Sequence, residues 1–246
     1  MPYTLGVDLG TTFTAAAICR DGRVEMLTLG RRGASMPTVV LVDGDDVLVG
    51  DAAERRALAE PGKVAREFKR RVGDTVPIVV DGSPWSAEQL MAKVLAWVVA
   101  EATRQEAAPP DTIVVTHPAT WGQYKLDVLR EVARLADVSN AVMLTEPEAA
   151  AISYAATERL APGDVIAVYD LGGGTFDGTV LRATDPGVEL LGHPAGGERL
   201  ETRGRQHGGR DPATGGAPGA AACGRYQLLH VVPFRRFRGF SWFTRL

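Results

Sequence analysis

Residues 165–177 have the sequence Val-Ile-Ala-Val-Tyr-Asp-Leu-Gly-Gly-Gly-Thr-Phe-Asp. The apolar run predicts a buried strand, the glycines predict a turn, and a second strand is predicted to open at Thr175. Glycines lack Cβ, so their backbone N–H groups can approach an anion closely. The acids at the two ends, Asp170 and Asp177, would suit a divalent cation or an attacking water beside a bound phosphate. Taken alone, the glycine turn is equally compatible with an ordinary β-hairpin.

A similar segment lies near the N-terminus. Residues 5–18 again combine an apolar strand, an Asp-Leu-Gly turn and a second strand. Asp8 is followed by Leu, Gly and Thr11, as Asp170 is followed by Leu, Gly and, after two further glycines, Thr175. Two such hairpins indicate two similar sheets that face one ligand, with its phosphates clamped between the turns.

The remaining pattern predicts an α/β fold. A strand over 112–116, a helix over 123–137 and a strand over 141–145 form a βαβ unit. In this helix we expect a buried face of Leu126, Leu129, Ala133 and Leu135. The other predicted elements are strands over 3–9, 13–20, 23–28, 38–42 and 47–50, a helix from Asp51 to about Leu58 capped by Asp51, a helix over 87–106 capped by Ser86, and a helix from about Pro147 to Arg159.

Two further segments carry candidate functional residues. Glu146 precedes Pro147 at a predicted strand-to-helix junction, where α/β sheets place their ligands. A first-turn acid can also simply complement the helix dipole, which is our interpretation of Glu148. Lys69 lies in the basic run 67–73, and a lysine in such a run is commonly just solvated.

Taken together, these four segments resemble the nucleotide-binding domain of the Hsp70 (DnaK-like) chaperone family. The resemblance covers roughly residues 1–198 and implies an actin-like (ribonuclease H-like) ATPase fold. It implies a first lobe over 1–160, with an insertion at 38–107, and the start of a second lobe over 161–198. The family's nucleotide domain is longer, so we expect a truncated chain without the adenosine pocket and with impaired ATP hydrolysis.

The resemblance also implies the ligands and the residues that bind them. The cofactors would be ATP and Mg²⁺, with ADP as product, and the partners would include co-chaperones and nucleotide-exchange factors. Asp8 and Asp170 would hold the Mg²⁺, largely through waters. The phosphates would be bound by Gly10, Thr11, Thr12, Phe13, Lys69, Gly172, Gly173, Gly174, Thr175 and a loop containing Gly196 and Gly197. The water and its proton would be handled by Lys69, Glu146, Asp170, Thr175 and Asp177.

The segment 199–246 differs from the rest of the chain. It contains nine arginines, no lysine and only two acids. Interleaved Arg and Phe suit nucleic-acid binding, but a frame change in a GC-rich gene would give the same composition. We favour the second interpretation, and we therefore expect a disordered tail that does not belong to the family and no nucleic-acid partner.

Composition and the absence of certain motifs exclude several classes of protein. The chain is 45% hydrophobic and 23% charged, which is typical of a packed globular protein. It has no 18-residue apolar run and no targeting signal, so we expect a cytoplasmic protein without membrane contact. A sugar kinase is disfavoured because the 116–119 segment, Thr-His-Pro-Ala, lacks a catalytic Asp. An actin-like filament ATPase and a non-functional truncated product remain alternatives to a chaperone ATPase of the stress response.

Overall fold

The computed structural model describes residues 2–30, 33–157, 160–171, 175–185, 187–198 and 228–233. These residues form a mixed α/β structure. The strands are β1 Thr4–Leu9, β2 Phe13–Arg20, β3 Arg23–Met26, β4 Ser35–Pro37, β5 Val39–Asp43, β6 Asp46–Val49, β7 Val64–Arg66, β8 Ile78–Val80, β9 Ser83–Trp85, β10 Thr112–His117, β11 Ala141–Thr145, β12 Val165–Leu171, β13 Thr175–Ala183, β14 Val188–Glu198 and β15 Leu228–Pro233. The helices are α1 Asp51–Ala57, α2 Ala87–Glu106, α3 Gln123–Leu135, α4 Glu146–Thr157 and two short 3₁₀ helices, Pro61–Lys63 and Phe68–Arg71.

The first sheet has the order β11-β10-β1-β2-β3, with β4 also paired to β2. β1 is antiparallel to β2 and parallel to β10, and β10 is parallel to β11. The parallel strands β10 and β11 are joined through α3, as a βαβ unit requires. The sheet confirms the α/β class, and it brings the carboxyl ends of β1, β10 and β11 to one edge.

The core of the first sheet lies against α2. Leu5, Val7 and Leu9 alternate along β1 and are at most 2% exposed. They share one hydrophobic cluster with the buried face of α2, which includes Leu90 and Leu95. Burial of each such side chain contributes about 1.5–3 kcal/mol. This packing fixes the sheet edge at which the candidate site is built.

The ends of α2 follow from local sequence. The Ser86 side chain accepts a hydrogen bond from the backbone N–H of Gln89, and the Gln89 side chain accepts one from the Ser86 N–H. This reciprocal capping box satisfies two amides that the helix leaves without partners. At the other end Ala107 has a left-handed backbone, with φ of 55°. The predicted cap and bounds of this helix are therefore confirmed.

Some details of the sequence prediction are wrong. Asp51 does not cap α1, because the N-cap position is Gly50, whose φ is 65°, and no side-chain cap bond is formed. Leu135 is 42% exposed instead of buried. α3 ends there and the chain turns, so that Ala136 and Val138, both at most 8% exposed, take the core positions.

The second sheet has the order β14-β13-β12-β15. β12 and β13 form the predicted antiparallel hairpin, with Asp170 paired to Asp177 in register. Ile166, Val168 and Leu181 pack with the small residues of α4 in a separate hydrophobic cluster. This hairpin resembles β1 and β2 of the first sheet, as the repeated motif predicts.

Within the tail over 199–246, the structure describes one segment, the strand β15. It pairs antiparallel with β12, and Val231 lies opposite Val168. The rest of the tail lies outside the described residues, so its disorder stays a prediction. Among the helices that the structure describes, none is both long and apolar enough to span a bilayer.

Candidate active site

The centre of the candidate site is an ion pair between Lys69 and Glu146. The Lys69 Nζ donates a hydrogen bond of 2.7 Å to Oε1 of Glu146. The two side chains are only 7% and 12% exposed. Burying two charges costs solvation free energy, and removing one partner would leave the other uncompensated. A buried ion pair is therefore expected where its charges serve a function or where the fold depends on them.

Lys69 reaches this position from a strained turn. It lies in the 3₁₀ helix Phe68–Arg71, and the preceding Glu67 has a left-handed backbone with φ of 53°. Non-glycine residues rarely adopt this conformation. Phe68 is fully buried and fixes the short helix in the core. The lysine that the sequence left open as an ordinary solvated residue is thus directed inward.

Glu146 is the first residue of α4 and directly follows β11. The Thr145 hydroxyl and Glu148 carboxylate form a reciprocal capping box. Glu148 Oε2 accepts from Thr145 N at 3.1 Å and from Thr145 Oγ1 at 2.6 Å, and Glu148 N donates to Thr145 Oγ1 at 3.3 Å. Glu148 therefore serves the helix end, as interpreted from the sequence, and Glu146 is directed to Lys69.

Asp8 lies at the end of β1, surrounded on most sides by protein atoms. Thr116, on the neighbouring strand β10, donates a hydrogen bond of 3.1 Å to Oδ1 of Asp8. Burial raises the pKa of Asp8, and the Glu146 carboxylate raises it further, while the Lys69 charge and the Thr116 hydrogen bond oppose this. A carboxylate whose ionised form is disfavoured by burial is one that a bound cation would stabilise.

Asp177, on the second sheet, interacts with the same ion pair of Lys69 and Glu146. It is partly buried on β13, and its pKa is raised first by burial and then by the Glu146 carboxylate, with Lys69 acting in the opposite direction. A small cavity is lined by residues of the second sheet, of the start of α4 and of the loop after β10, namely Ala119, Thr120, Glu146, Pro147, Val168, Asp177, Thr179 and Pro194. The predicted carboxylates Asp8, Glu146 and Asp177 and the predicted Lys69 therefore share one electrostatic site.

The first predicted phosphate turn, Gly10 to Phe13, connects β1 to β2. Its carbonyl at Thr12 accepts a hydrogen bond of 2.8 Å from the Thr38 N–H. Behind it, the Thr14 and Thr38 hydroxyls lie 2.9 Å apart in a buried hydrogen bond. The turn is thus held from its inner side by a neighbouring segment.

The second predicted phosphate turn is described only in part. Gly172, Gly173 and Gly174 lie outside the described residues, and so do the side chains of Asp170 and Thr175. Gly196 and Gly197 do not form the loop that the resemblance implies. They continue β14, opposite Asp177 and Phe176 of β13.

A metal ligand set stays a prediction. Among the described residues there is no group of three or more His, Cys, Asp or Glu side chains that could hold a metal ion. Asp8 fits one half of the predicted Mg²⁺ pair by its chemistry and burial. The other half, Asp170, cannot be placed because its side chain lies outside the described part of the chain.

Two residues that contact the site were not predicted from the sequence. Thr116 touches Asp8, and Trp121 lies with its ring centroid 5.9 Å from the Lys69 ammonium. The only sequence signal for Thr116 is its place near the end of the strand beside β1. The register in which the two strands pair determines whether Thr116 contacts Asp8. No sequence pattern indicated Trp121. His117 is buried, and its Nδ1 lies 3.0 Å from the Pro118 carbonyl.

Comparison of the sequence with known proteins agrees with the resemblance to the Hsp70 family. The sequence model of the Hsp70 family, described as "Hsp70 protein", matches residues 4–198. The chain is 33% identical over 187 residues to the chaperone protein DnaK of Ureaplasma parvum serovar 3, covering 76% of this chain and 31% of that protein. It is 31% identical over 212 residues to DnaK of Deinococcus radiodurans, covering 77% of this chain and 33% of that protein.

The DnaK of Deinococcus deserti is similar too, with 30% identity over 212 residues, 77% of this chain and 33% of that protein. The chain thus spans about a third of the length of these curated relatives. Members of this family use ATP with Mg²⁺, and their ATPase domain has an actin-like fold. The mixed α/β sheets of the present structure agree with that fold, and the chain belongs to the Hsp70 family.

Proposed function

We propose that this chain binds Mg-ATP and transfers the γ-phosphoryl group to water. The observation that carries the proposal is the buried pair of Lys69 and Glu146, which interacts electrostatically with two carboxylates, Asp8 and Asp177, whose pKa values are raised. Phosphoryl transfer depends mostly on positioning and on compensation of negative charge. One fixed cation among three carboxylates is suited to that task.

Each residue has a distinct part in this proposal. The Lys69 ammonium stabilises negative charge on the phosphoryl group, and Glu146 holds that ammonium in place. Asp177 accepts the proton of the attacking water, because its raised pKa makes it a better base than an ordinary exposed aspartate. The backbone of Gly10 to Phe13 binds the phosphates from the side of the first sheet.

Mg²⁺ would be held through waters by Asp8, together with Asp170. When bound, the ion neutralises part of the phosphate charge. Thr175, Gly172, Gly173 and Gly174 complete the phosphate site in this proposal. Coupling to protein folding and contacts with co-chaperones and exchange factors extend the same proposal from the family.

The test is Mg²⁺-dependent ATP hydrolysis by the 246-residue chain. Lys69→Met should lower turnover by about 10²-fold or more, because it removes a charge aimed at the transition state. Lys93→Met, which removes an exposed lysine on α2, is the matched control and should leave turnover unchanged. No Mg²⁺-dependent hydrolysis, or equal rates in the two variants, would reject the proposal.

A further inference from the structure

We propose that Trp121 is a positioning residue of this site, which holds the Lys69 ammonium against Glu146 through a cation–π contact. The inference rests on the proposed function of Lys69. It adds a side chain to which neither the sequence motifs nor the family resemblance gave a role.

The geometry places Lys69 between two contacts of different chemistry. Its ammonium lies 2.7 Å from the Glu146 carboxylate and 5.9 Å from the centroid of the Trp121 ring. The Glu146 carboxylate holds the ammonium on one side, and the face of the Trp121 ring limits its movement on another. Tryptophan gives the strongest cation–π attraction of the aromatic residues, and the attraction grows when the cation is desolvated, as Lys69 is.

The Trp121 ring is itself held in place. Its backbone N–H donates a hydrogen bond of 3.1 Å to the Pro118 carbonyl, which closes the turn after β10. Its ring stacks on the buried His117 ring, with centroids 6.3 Å apart and planes inclined by 18°. A ring fixed by a turn and by a buried neighbour can position a cation, which a freely rotating ring could not.

A second lysine provides an internal comparison. The Lys125 ammonium lies 5.7 Å from the centroid of the same ring. Lys125 belongs to α3. Within the described part of the chain it forms no salt bridge with the carboxylates of the site, whereas Lys69 pairs with Glu146. Loss of the ring should therefore affect both lysines, but only the effect on Lys69 should change the rate of ATP hydrolysis.

The first experiment needs no nucleotide. The chain contains only four lysines, Lys63, Lys69, Lys93 and Lys125. A brief pulse of an amine-acylating reagent, followed by mass spectrometry, measures the reactivity of each. In Trp121→Leu, labelling of Lys69 should rise severalfold, and Trp121→Phe should restore most of the protection. Lys63, paired with Asp43, and the exposed Lys93 should not change.

Two results of this labelling would overturn the inference. One is an unchanged reactivity of Lys69 in Trp121→Leu. The other is a rise at all four lysines, which would mean that the ring supports the fold as a whole and does not position one cation. Because this readout is independent of ATP, it decides the role of Trp121 even if the chain hydrolyses no ATP and the proposed function fails.

The second experiment uses ATP turnover. Trp121→Leu should lower kcat severalfold more than it changes KM, and Trp121→Phe should recover most of the loss. In the Lys69→Met background Trp121→Leu should have no further effect, whereas Lys125→Met should leave the wild-type rate unchanged. An equal loss from Trp121→Leu with and without Lys69 would overturn the inference, because the ring would then act by another route.

Discussion

The Thr116 hydroxyl donates a hydrogen bond of 3.1 Å to Asp8 across the parallel strands β1 and β10. This bond lowers the pKa of Asp8 against the effect of burial. Thr116→Val should raise that pKa further and weaken Mg²⁺-dependent ATP binding by about tenfold or more, since a hydrogen bond to a charged group contributes about 1.5–3 kcal/mol. Calorimetric titration of Mg-ATP at neutral pH measures the change.

The control for this variant is Thr112→Val, at the other end of the same strand and opposite Thr4. It makes the same change in side-chain chemistry away from Asp8, so its affinity should equal that of the wild type. If both variants bind Mg-ATP with equal affinity, the Thr116 hydroxyl does not support the site.

A second prediction concerns stability and pH. Burial raises the pKa of Asp8 above 3.8, the ordinary value, so the folded state binds its proton more tightly than the unfolded state. The folded state therefore loses stability as pH rises through the raised pKa. Asp8→Asn removes this loss, and its free energy of unfolding should exceed that of the wild type at neutral pH. The difference should vanish below pH 3.8.

Urea unfolding at the two pH values measures this difference, and Asp43→Asn is a control of opposite sign. Hydrogen bonds from Lys63 and Arg56 lower the pKa of Asp43 to about 2, so its ionised form stabilises the fold at neutral pH. Asp43→Asn should accordingly be less stable than the wild type at neutral pH. A loss of stability in both variants would contradict the assignment of Asp8 as a buried, destabilising charge.

A third prediction addresses the buried ion pair. Lys69→Met leaves the Glu146 carboxylate buried without its cation, which should cost about 3–5 kcal/mol of unfolding free energy. Arg104→Met breaks a pair with Glu101 in which the arginine is 69% exposed, and it should change stability little. Urea unfolding of the two variants compares them directly. Equal stabilities would show that the Lys69–Glu146 pair contributes no more than a surface pair.

A fourth prediction concerns β15. Ile166, Ala167 and Val168 are consecutive in β12 and at most 2% exposed, so both faces of this strand are covered. Such a strand belongs in a sheet interior, and its edge needs a partner. Because successive amides of a strand alternate in direction, Val231→Pro with Val232→Pro removes at least one donor that faces β12.

The double variant should expose the β12 edge and increase self-association, as measured by light scattering and by analytical ultracentrifugation. Prolines at Ala220 and Ala221, outside β15, provide the control with the same number of substitutions. Unchanged association in the Val231 and Val232 variant would show that β15 does not protect this edge.

Much of the fold could be predicted from local sequence. The alternation in β1, the Ser86 cap of α2 and the βαβ unit each depend on neighbouring residues, and the structure confirms them. The prediction that Leu135 is buried was wrong, because the end of a helix depends on where the next core residue lies. The contacts of Thr116 and Trp121 depend on strand register and on a turn, which periodicity alone does not determine.

The candidate site could be predicted only through the family resemblance. Lys69 and Glu146 are far apart in the chain, and no spacing rule joins a lysine of a basic run to a glutamate at a helix start. The structure brings them within 2.7 Å because Phe68 fixes one segment in the core and Thr145 caps the other. Their catalytic roles, and those of Asp170 and Thr175, stay predictions.

The different neighbours of β1 and β12 set an order of events during synthesis. Domains fold from the N-terminus as the ribosome adds residues, at about 5–20 per second. Every strand of the first sheet has been made once Thr145 has left the ribosome. β12 must instead wait for Leu228–Pro233, and until then the N–H and C=O groups along this edge have no strand partner. We therefore expect folding of the second sheet to depend more on the speed of translation than folding of the first.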